Sequence, residues 1–264
     1  MSSNSFEHRS LGRGGAALVS VSLERAGFLV AFTERAGGAS TGPFASLNLS
    51  QAVGDDDASV LANRGLVVEG LGLPRPFALP EQVHGARVVR VGQGRAGAGF
   101  DDPAGRIATA DALFTSSAGV PLGVLSADCL PIAMASPRSG VLAVVHAGWR
   151  GLAAGIVARA AAMFADPADV RVAVGPAIGP DHYEVGEDVA AAVSTASDGG
   201  AVTERRGGRL FLDLASTARV ALRAVGIEHV DLAGVCTACE RRRFFSHRRD
   251  RGRTGRQALV AVRL

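Results

Sequence analysis

Lysine is absent, and all 28 cationic side chains are Arg. In a chain this rich in Ala and Gly, the codon bias of a GC-rich genome accounts for that, and no function is read from it. Aromatics make up only 5% of the residues, with one Trp and one Tyr, so aliphatic side chains and Ala must fill the core. Three cysteines do not make a disulfide framework. No apolar run approaches the length of a membrane span. The first ten residues show no basic-then-apolar signal pattern, and Glu7 interrupts them, so a cytoplasmic location is expected. The formal net charge, +3, suits nucleic acid or a small phosphorylated substrate equally well.

Three motifs are also missing, and each absence removes a function. Thr33 to Phe44 is an irregular Gly-rich loop headed by Arg35, but it lacks the Gly-Lys-Ser/Thr ending of a nucleotide P-loop. Gly92 to Gly97 matches G-x-G-x-x-G after a strand, yet loop residues Phe100 to Gly105 follow instead of a helix, so dinucleotide binding is rejected. Cys236-Thr237-Ala238-Cys239 is a C-x-x-C with no second pair to complete a structural zinc site. Glu240 to Arg243 follow it where a redox dithiol would open a helix, so the structural reading is preferred.

What is present centres on Ala127 to Gly151. Two apolar runs lie there, joined by a turn at Ser136 to Gly140. The second, Val141 to Val145, is short and β-branched and reads as a buried strand. Asp128-Cys129 sits at the start of the first run and His146 at the end of the second. A thiol and an imidazole are thus carried on the ends of neighbouring strands, on one edge of a sheet. Leu152, Ile156 and Ala160 then fall on one helical face, with Met163 close by. A helix starting so near His146 points its N–H groups at this site and favours an anion, and Arg150 adds a charge there.

Residues 1 to 15 are polar and Gly-rich and read as loose. The domain is therefore set at 21–264, with 1–20 as a flexible N-terminal tail. Strands are expected at Ala17 to Leu23, Phe28 to Phe32, Ala86 to Val91, Asp111 to Thr115, Leu122 to Leu125, Arg171 to Val174, Val230 to Val235 and Ala258 to Val262. Asp55-Asp56-Asp57 opens a helix as its cap, a reading preferred to a cation site. Further helices are expected at Glu187 to Thr195 and Leu214 to Ala224. Strands and helices do not alternate strictly, so the fold class is α/β with a mixed sheet in a single domain.

Of the six His, His8 and His229 have no neighbour to argue from, and a structural role is preferred for His182 beside Asp181 and Tyr183. His84, Cys129 and His146 each sit at a strand boundary beside Gly or Pro, where a rigid scaffold presents catalytic groups. Cys129 with His146 as its base would make a thiolate nucleophile. Alternatively His84, Cys129 and His146 would hold one Zn²⁺, leaving a fourth position for water or substrate. From spacing alone, a buried Cys with two satisfied His carries about half the weight. The Arg-dense segment from Arg241 to Arg256, interleaved with Phe244 and Phe245, is read as an oxyanion pocket in preference to a nucleic acid surface.

Several motifs together resemble one family. They are T-E-R-A-G-G-A-S at Thr33 to Ser40, S-L-N-L at Ser46 to Leu49 and Q-V-H-G at Gln82 to Gly85. A-D-C-L-P at Ala127 to Pro131, H-A-G-W-R-G at His146 to Gly151 and V-G-P-A-I-G-P at Val174 to Pro180 follow. Y-E-V-G at Tyr183 to Gly186, F-F-S-H-R-R-D at Phe244 to Asp250 and T-G-R at Thr254 to Arg256 complete the set. They occur in the order of the bacterial polyphenol oxidase or laccase-domain family, also called peptidoglycan editing factor. The match covers nearly all the chain beyond the first twenty or so residues. His247, where Tyr is common, and Gln257 depart from the pattern.

The resemblance implies a single α/β domain, a layered sandwich related to the cytotoxic necrotizing factor type of cysteine hydrolase. It implies zinc held by His84, Cys129 and His146, in preference to copper. It implies a purine nucleoside phosphorylase that also acts on methylthioadenosine and deaminates adenosine. Its partners would be a purine nucleoside and phosphate. Arg35, Arg150 and Arg248 are then expected to hold phosphate, Asn48 to bind a ribose hydroxyl or the phosphate, and Asp128 to carry a proton. The alternative is a hydrolase of muramoyl peptide precursors. Multicopper oxidases need many His for several coppers, so with six His any phenol oxidase activity is expected to be adventitious.

Overall fold

The computed structural model describes residues 5–107, 109–196, 201 and 203–264. The chain runs through β1 (Phe6–Gly12), β2 (Gly15–Ser20), α1 (Val21–Arg25) and β3 (Phe28–Thr33). It continues through α2 (Asp57–Gly70), β4 (Val88–Arg90), β5 (Ala112–Thr115) and β6 (Leu122–Ser126). Then come β7 (Leu130–Ala135), β8 (Leu142–Ala147), α3 (Trp149–Ala153), α4 (Ile156–Ala161) and β9 (Arg171–Val174). The last third holds β10 (Glu184–Val185), α5 (Glu187–Ala196), β11 (Thr203–Arg206), β12 (Arg209–Leu212), α6 (Leu214–Ala224), β13 (His229–Leu232) and β14 (Gln257–Arg263).

Two sheets carry the fold. One is antiparallel, in the order β1-β2-β3-β14-β6. The other is mixed, in the order β13-β9-β7-β8-β5-β4, with parallel pairs at both edges. Phe28, Val30 and Phe32 of β3 and Leu259 and Ala261 of β14 meet Ala133, Ala135, Leu142 and Val144 of the mixed sheet, so the two sheets pack face to face. Ile132, Met134, Ala143 and Val145, on the opposite face, pack on Ile156, Val157 and Ala160 of α4 and on Ala218 and Leu222 of α6. Val67 of α2 covers the outer face of the antiparallel sheet with Val19, Leu29 and Val260. The layers are thus helix, sheet, sheet, helix, an α/β sandwich with mixed pairing as the sequence implied. Both faces of β7 and β8 are buried, which is why their sequences are apolar without alternation. Each Val, Leu or Ile so buried contributes about 1.5–3 kcal/mol.

Three expectations change. Residues 6–20 are not a tail but β1 and β2; residues 1–4 of the expected tail lie outside the described residues. The glycines read as looseness turn a hairpin, with Gly12 at φ 81° and Gly14 at φ 79°. The polar residues of β1 face water because it is an edge strand. The strand expected at Ala17 to Leu23 stops at Ser20, whose hydroxyl accepts from Leu23 N and caps α1. The single helix expected after His146 is broken at Gly155, φ 75°, into α3 and α4. Leu152, Ile156 and Ala160 nonetheless share the buried face foreseen for them. The cap expected at Asp55 to Asp57 forms, with Asp56 accepting from Ser59 N at 2.9 Å.

Candidate metal centre and its arginine-lined cavity

Strand pairing brings the central residues together. Leu130 lies opposite Ala147 and Pro131 opposite His146. Cys129, one residue before β7, therefore falls beside the end of β8. His84 arrives on the loop before β4, which runs parallel to β5 next to β8. The ligand atoms of His84, Cys129 and His146 all lie within 4.8 Å of one another. The two imidazoles meet edge to face, with centroids 4.9 Å apart. Gly148 is required where the cluster closes: a Cβ there would lie 2.9 Å from Cys129 Sγ and 3.3 Å from His84 Cδ2.

Asp111, a residue to which sequence reasoning assigned no role, holds both histidines. It is fully buried. Oδ1 accepts from the backbone N–H of His84 at 2.9 Å and faces His146 Nδ1 at 2.9 Å. Oδ2 accepts from Val83 N at 3.2 Å and Gly85 N at 2.7 Å. Three successive N–H groups wrap one carboxylate, and this holds His84 at φ 60°, a conformation uncommon for a residue with a side chain. Burial pushes Asp111 up, but His146 and the backbone donors outweigh it and hold it below the usual carboxylate range. An ionised carboxylate only accepts, so His146 keeps a proton on Nδ1, and it is the Nε2 proton that a metal would displace to use that lone pair. This is the carboxylate–histidine pairing that orients metal ligands. The only signal in the sequence was an Asp at the head of a buried strand.

Burial pushes the Cys129 thiol up, yet His146 and His84 outweigh it and bring it down to about 6. Burial pushes the His146 imidazole down, yet the Cys129 thiolate and Asp111 outweigh it and raise it to about 9. Cys129 is therefore a thiolate at neutral pH, the form that ligates a metal. A cysteine nucleophile needs one histidine as base, whereas here two converge on one sulfur. Two imidazoles and a thiolate, with a buried carboxylate behind one of them, suit a borderline-soft divalent metal.

The cluster lies in the wall of a cavity of about 500 Å³, within the roughly 300–1,000 Å³ of small-molecule sites. Arg106, Arg150, Arg248 and Arg256 line it, together with Trp149, Tyr183, Ile178, Leu214 and His247. Arg150 stacks on Trp149 at 4.3 Å and Arg248 on Tyr183 at 5.1 Å. Arg256 hydrogen-bonds through Nη1 to the carbonyls of Thr254 and Gly255, both at 2.9 Å, which sets its direction. Burial holds Tyr183 well above its ordinary range, with the Cys129 thiolate adding to the shift, so its hydroxyl keeps its proton.

Among the expected substrate residues, Arg150 and Arg248 line this cavity, and Arg35 and Asn48 do not. Arg35 donates to the Ala45 carbonyl at 3.0 and 2.7 Å and to Arg241 O at 3.3 Å, with Phe245 under its guanidinium at 4.5 Å. It ties the Thr33 to Phe44 loop to the Arg-rich segment. Asn48 is fully buried. It donates to Ser50 O and Asp55 Oδ2 and accepts from Ser50 N and Arg256 N. Its amide is fully engaged and acts on the cavity only by placing Arg256. Arg106 and Arg256 line the cavity without having been singled out. Asp128 lines it too, but Oδ1 accepts from Thr237 Oγ1 at 2.6 Å and Oδ2 from Arg248 N at 2.7 Å. Each oxygen thus accepts one bond, and Asp128 holds the backbone of Arg248. The anion site expected at a helix start reduces to Arg150 itself, because α3 is a single short turn.

Fold and site together define an α/β protein with a thiolate–imidazole donor set that could hold a metal ion, set in the wall of an arginine-lined cavity. The chain belongs to the family described as multi-copper polyphenol oxidoreductase laccase, whose pattern matches residues 29–263. It is 40% identical over 242 residues, 88% of each chain, to the purine nucleoside phosphorylase YlmD of Geobacillus stearothermophilus. It is 42% identical over 246 residues to a purine nucleoside phosphorylase of Xylella fastidiosa, covering 89% of this chain and 92% of that one. The crystal structure of YlmD from Geobacillus stearothermophilus superposes with a TM-score of 0.90 at 36% identity, covering 99% of both chains. No helix among the described residues is long and apolar enough to cross a membrane.

Proposed function

We propose that this protein is a purine nucleoside phosphorylase that works with a zinc ion held by His84, Cys129 and His146. The observation that carries the reading is the convergence of this donor set and four arginines on one cavity. Relatives at about 40% identity that bear the same activity in their names support it. Zinc is preferred to copper on the donor inventory. Of the six His, two belong to this group, while several coppers would need many more. A bound zinc would supply a Lewis acid and would lower the pKa of a coordinated water.

The chain's own residues do the rest. Arg150, Arg248 and Arg256, with Arg106, hold phosphate and offset its charge as it approaches the sugar. Trp149 and Tyr183, each already flanked by a guanidinium, offer faces to the purine. The Tyr183 hydroxyl is a donor at neutral pH. Asp128 fixes the backbone of Arg248, and Asp111 keeps His146 in its ligating tautomer. We extend the reading to methylthioadenosine phosphorolysis and adenosine deamination at the same centre.

The test is mass-spectrometric product analysis of pure, zinc-loaded protein with adenosine or methylthioadenosine, with and without phosphate, beside a Cys129→Ala control. Free base and sugar 1-phosphate are expected only with phosphate, and inosine from adenosine in either case, all lost in the control. Absence of every product from folded, zinc-loaded protein would overturn the reading.

A further inference from the structure

The C-x-x-C motif has no part in the cavity chemistry, and folding supplies what its sequence lacked. His182, 54 residues before Cys236, arrives on the loop that precedes β10. Its Nδ1 lies 3.7 Å from Cys236 Sγ and 3.6 Å from Cys239 Sγ, and the three donor atoms are all within 4.8 Å of one another. A single ring nitrogen offers one lone pair or one N–H, so it can make one two-centre hydrogen bond, yet both sulfurs approach it at nearly the same distance. A shared centre explains both. With metal–sulfur and metal–nitrogen bonds of about 2.3 and 2.0–2.1 Å at tetrahedral angles, sulfur and nitrogen stand about 3.6 Å apart.

The surrounding backbone is arranged to match. Gly179 N donates to Cys236 Sγ at 3.2 Å and fixes the direction of that side chain. Glu240 N and Arg241 N fold back on the carbonyls of Cys236 and Cys239 at 3.1 and 2.9 Å, curling the motif into a knuckle. The Ala177 and Cys236 segments are bridged through Ala177 N to Val235 O and Thr237 N to Ala177 O. All three cysteines of the chain are free thiols, and both His182 and Cys239 are exposed, so an ion has a path in.

We propose that His182, Cys236 and Cys239 form a second metal site, structural in role and suited to zinc, separate from the cavity centre. Binding breaks the two S–H bonds, releases both protons to solvent, and forms two sulfur–metal bonds and one nitrogen–metal bond. Water takes the fourth position. The site joins the Ala177 to Glu184 segment to the segment running from Cys236 to Arg248. These are the strands of chain that bring Tyr183 and Arg248 to the cavity, and Arg248 already bonds the carbonyls of His182 and Glu184 across the same seam. The ion therefore holds one wall of the cavity without touching it.

The experiment counts metal and needs no activity. Metal-free, reduced protein is titrated with Zn²⁺ and, separately, with Co²⁺, whose thiolate charge-transfer absorption reports sulfur ligation. Wild type should take up two equivalents. Cys236→Ser/Cys239→Ser and the milder surface change His182→Ala should each lose one equivalent and keep the cavity site. Cys129→Ala should lose the other and keep the two-thiolate cobalt spectrum. Two equivalents retained by both the double variant and His182→Ala would overturn the proposal. So would a single equivalent in wild type that disappears with Cys129→Ala. An intact mass lower by two hydrogens, in wild type that resists zinc at Cys236 and Cys239, would reassign the pair as a disulfide.

Discussion

Asp111→Asn tests the claim that one carboxylate organises the metal centre. The change keeps the size of the side chain and turns one acceptor oxygen into an NH₂ donor. In one orientation that group faces the N–H of Val83 and Gly85; in the other it faces His84 N and His146. Either way one or two N–H groups held against the buried carboxylate lose their acceptor, at about 1–3 kcal/mol each. The metal-free fold should therefore lose about 1–6 kcal/mol. His146 also loses the charge that keeps its proton on Nδ1, so its lone pair at Nε2 is no longer enforced. Loss of such a partner lowers metal affinity about 10–100-fold, or about 1.4–2.7 kcal/mol. Zinc competition against a chromophoric chelator gives the affinity, and urea denaturation of metal-free protein gives the stability. A variant with wild-type stability and a zinc Kd within threefold of wild type would refute the organising role of Asp111.

Gly148→Ala puts a methyl 2.9 Å from Cys129 Sγ; it should abolish zinc at the cavity centre while circular dichroism shows the fold intact. Arg150→Ala should raise the phosphate KM about 10–100-fold, the worth of a charge-assisted hydrogen bond. Arg35→Ala, remote from the cavity, should leave that KM unchanged and lower stability by about 1–3 kcal/mol in denaturation. Burial pushes Asp250 up, but Arg249 and the Thr254 hydroxyl outweigh it and hold it below the ordinary carboxylate range. Its contribution is present above that ordinary range, near 4, and fades as pH falls through the lower folded value. Asp250→Asn should thus destabilise at pH 7, and its denaturation midpoint should converge with that of wild type as pH falls below the ordinary carboxylate range.

Much of the centre was legible because its signals are local. Cys129 and His146 sit at the facing ends of two strands joined by a short turn, and adjacent antiparallel strands leave such ends no option but to meet. His84 was legible as a strand-boundary residue, and its membership of the group came through the family motif. The strands themselves followed from apolar runs and their turns. The β1–β2 hairpin did not, because an edge strand with a wet face has the composition of a tail.

By itself, then, the sequence determined the fold class, most of the strands and helices, and the pairing of Cys129 with His146, since each rests on residues close in the chain; His84 joined them only through the family motif. Only the tertiary structure decided which polar residues serve that centre. Asp111 became its organiser through contacts 25 and more residues away. Arg35 and Asn48 turned inward to bind backbone, whereas Arg106 and Arg256 turned to the cavity, and composition treats all of these alike. His182 met Cys236 and Cys239 only because the loops before β10 and after β13 close on each other. The direction of a side chain depends on which distant backbone lies against it, and no local pattern encodes that.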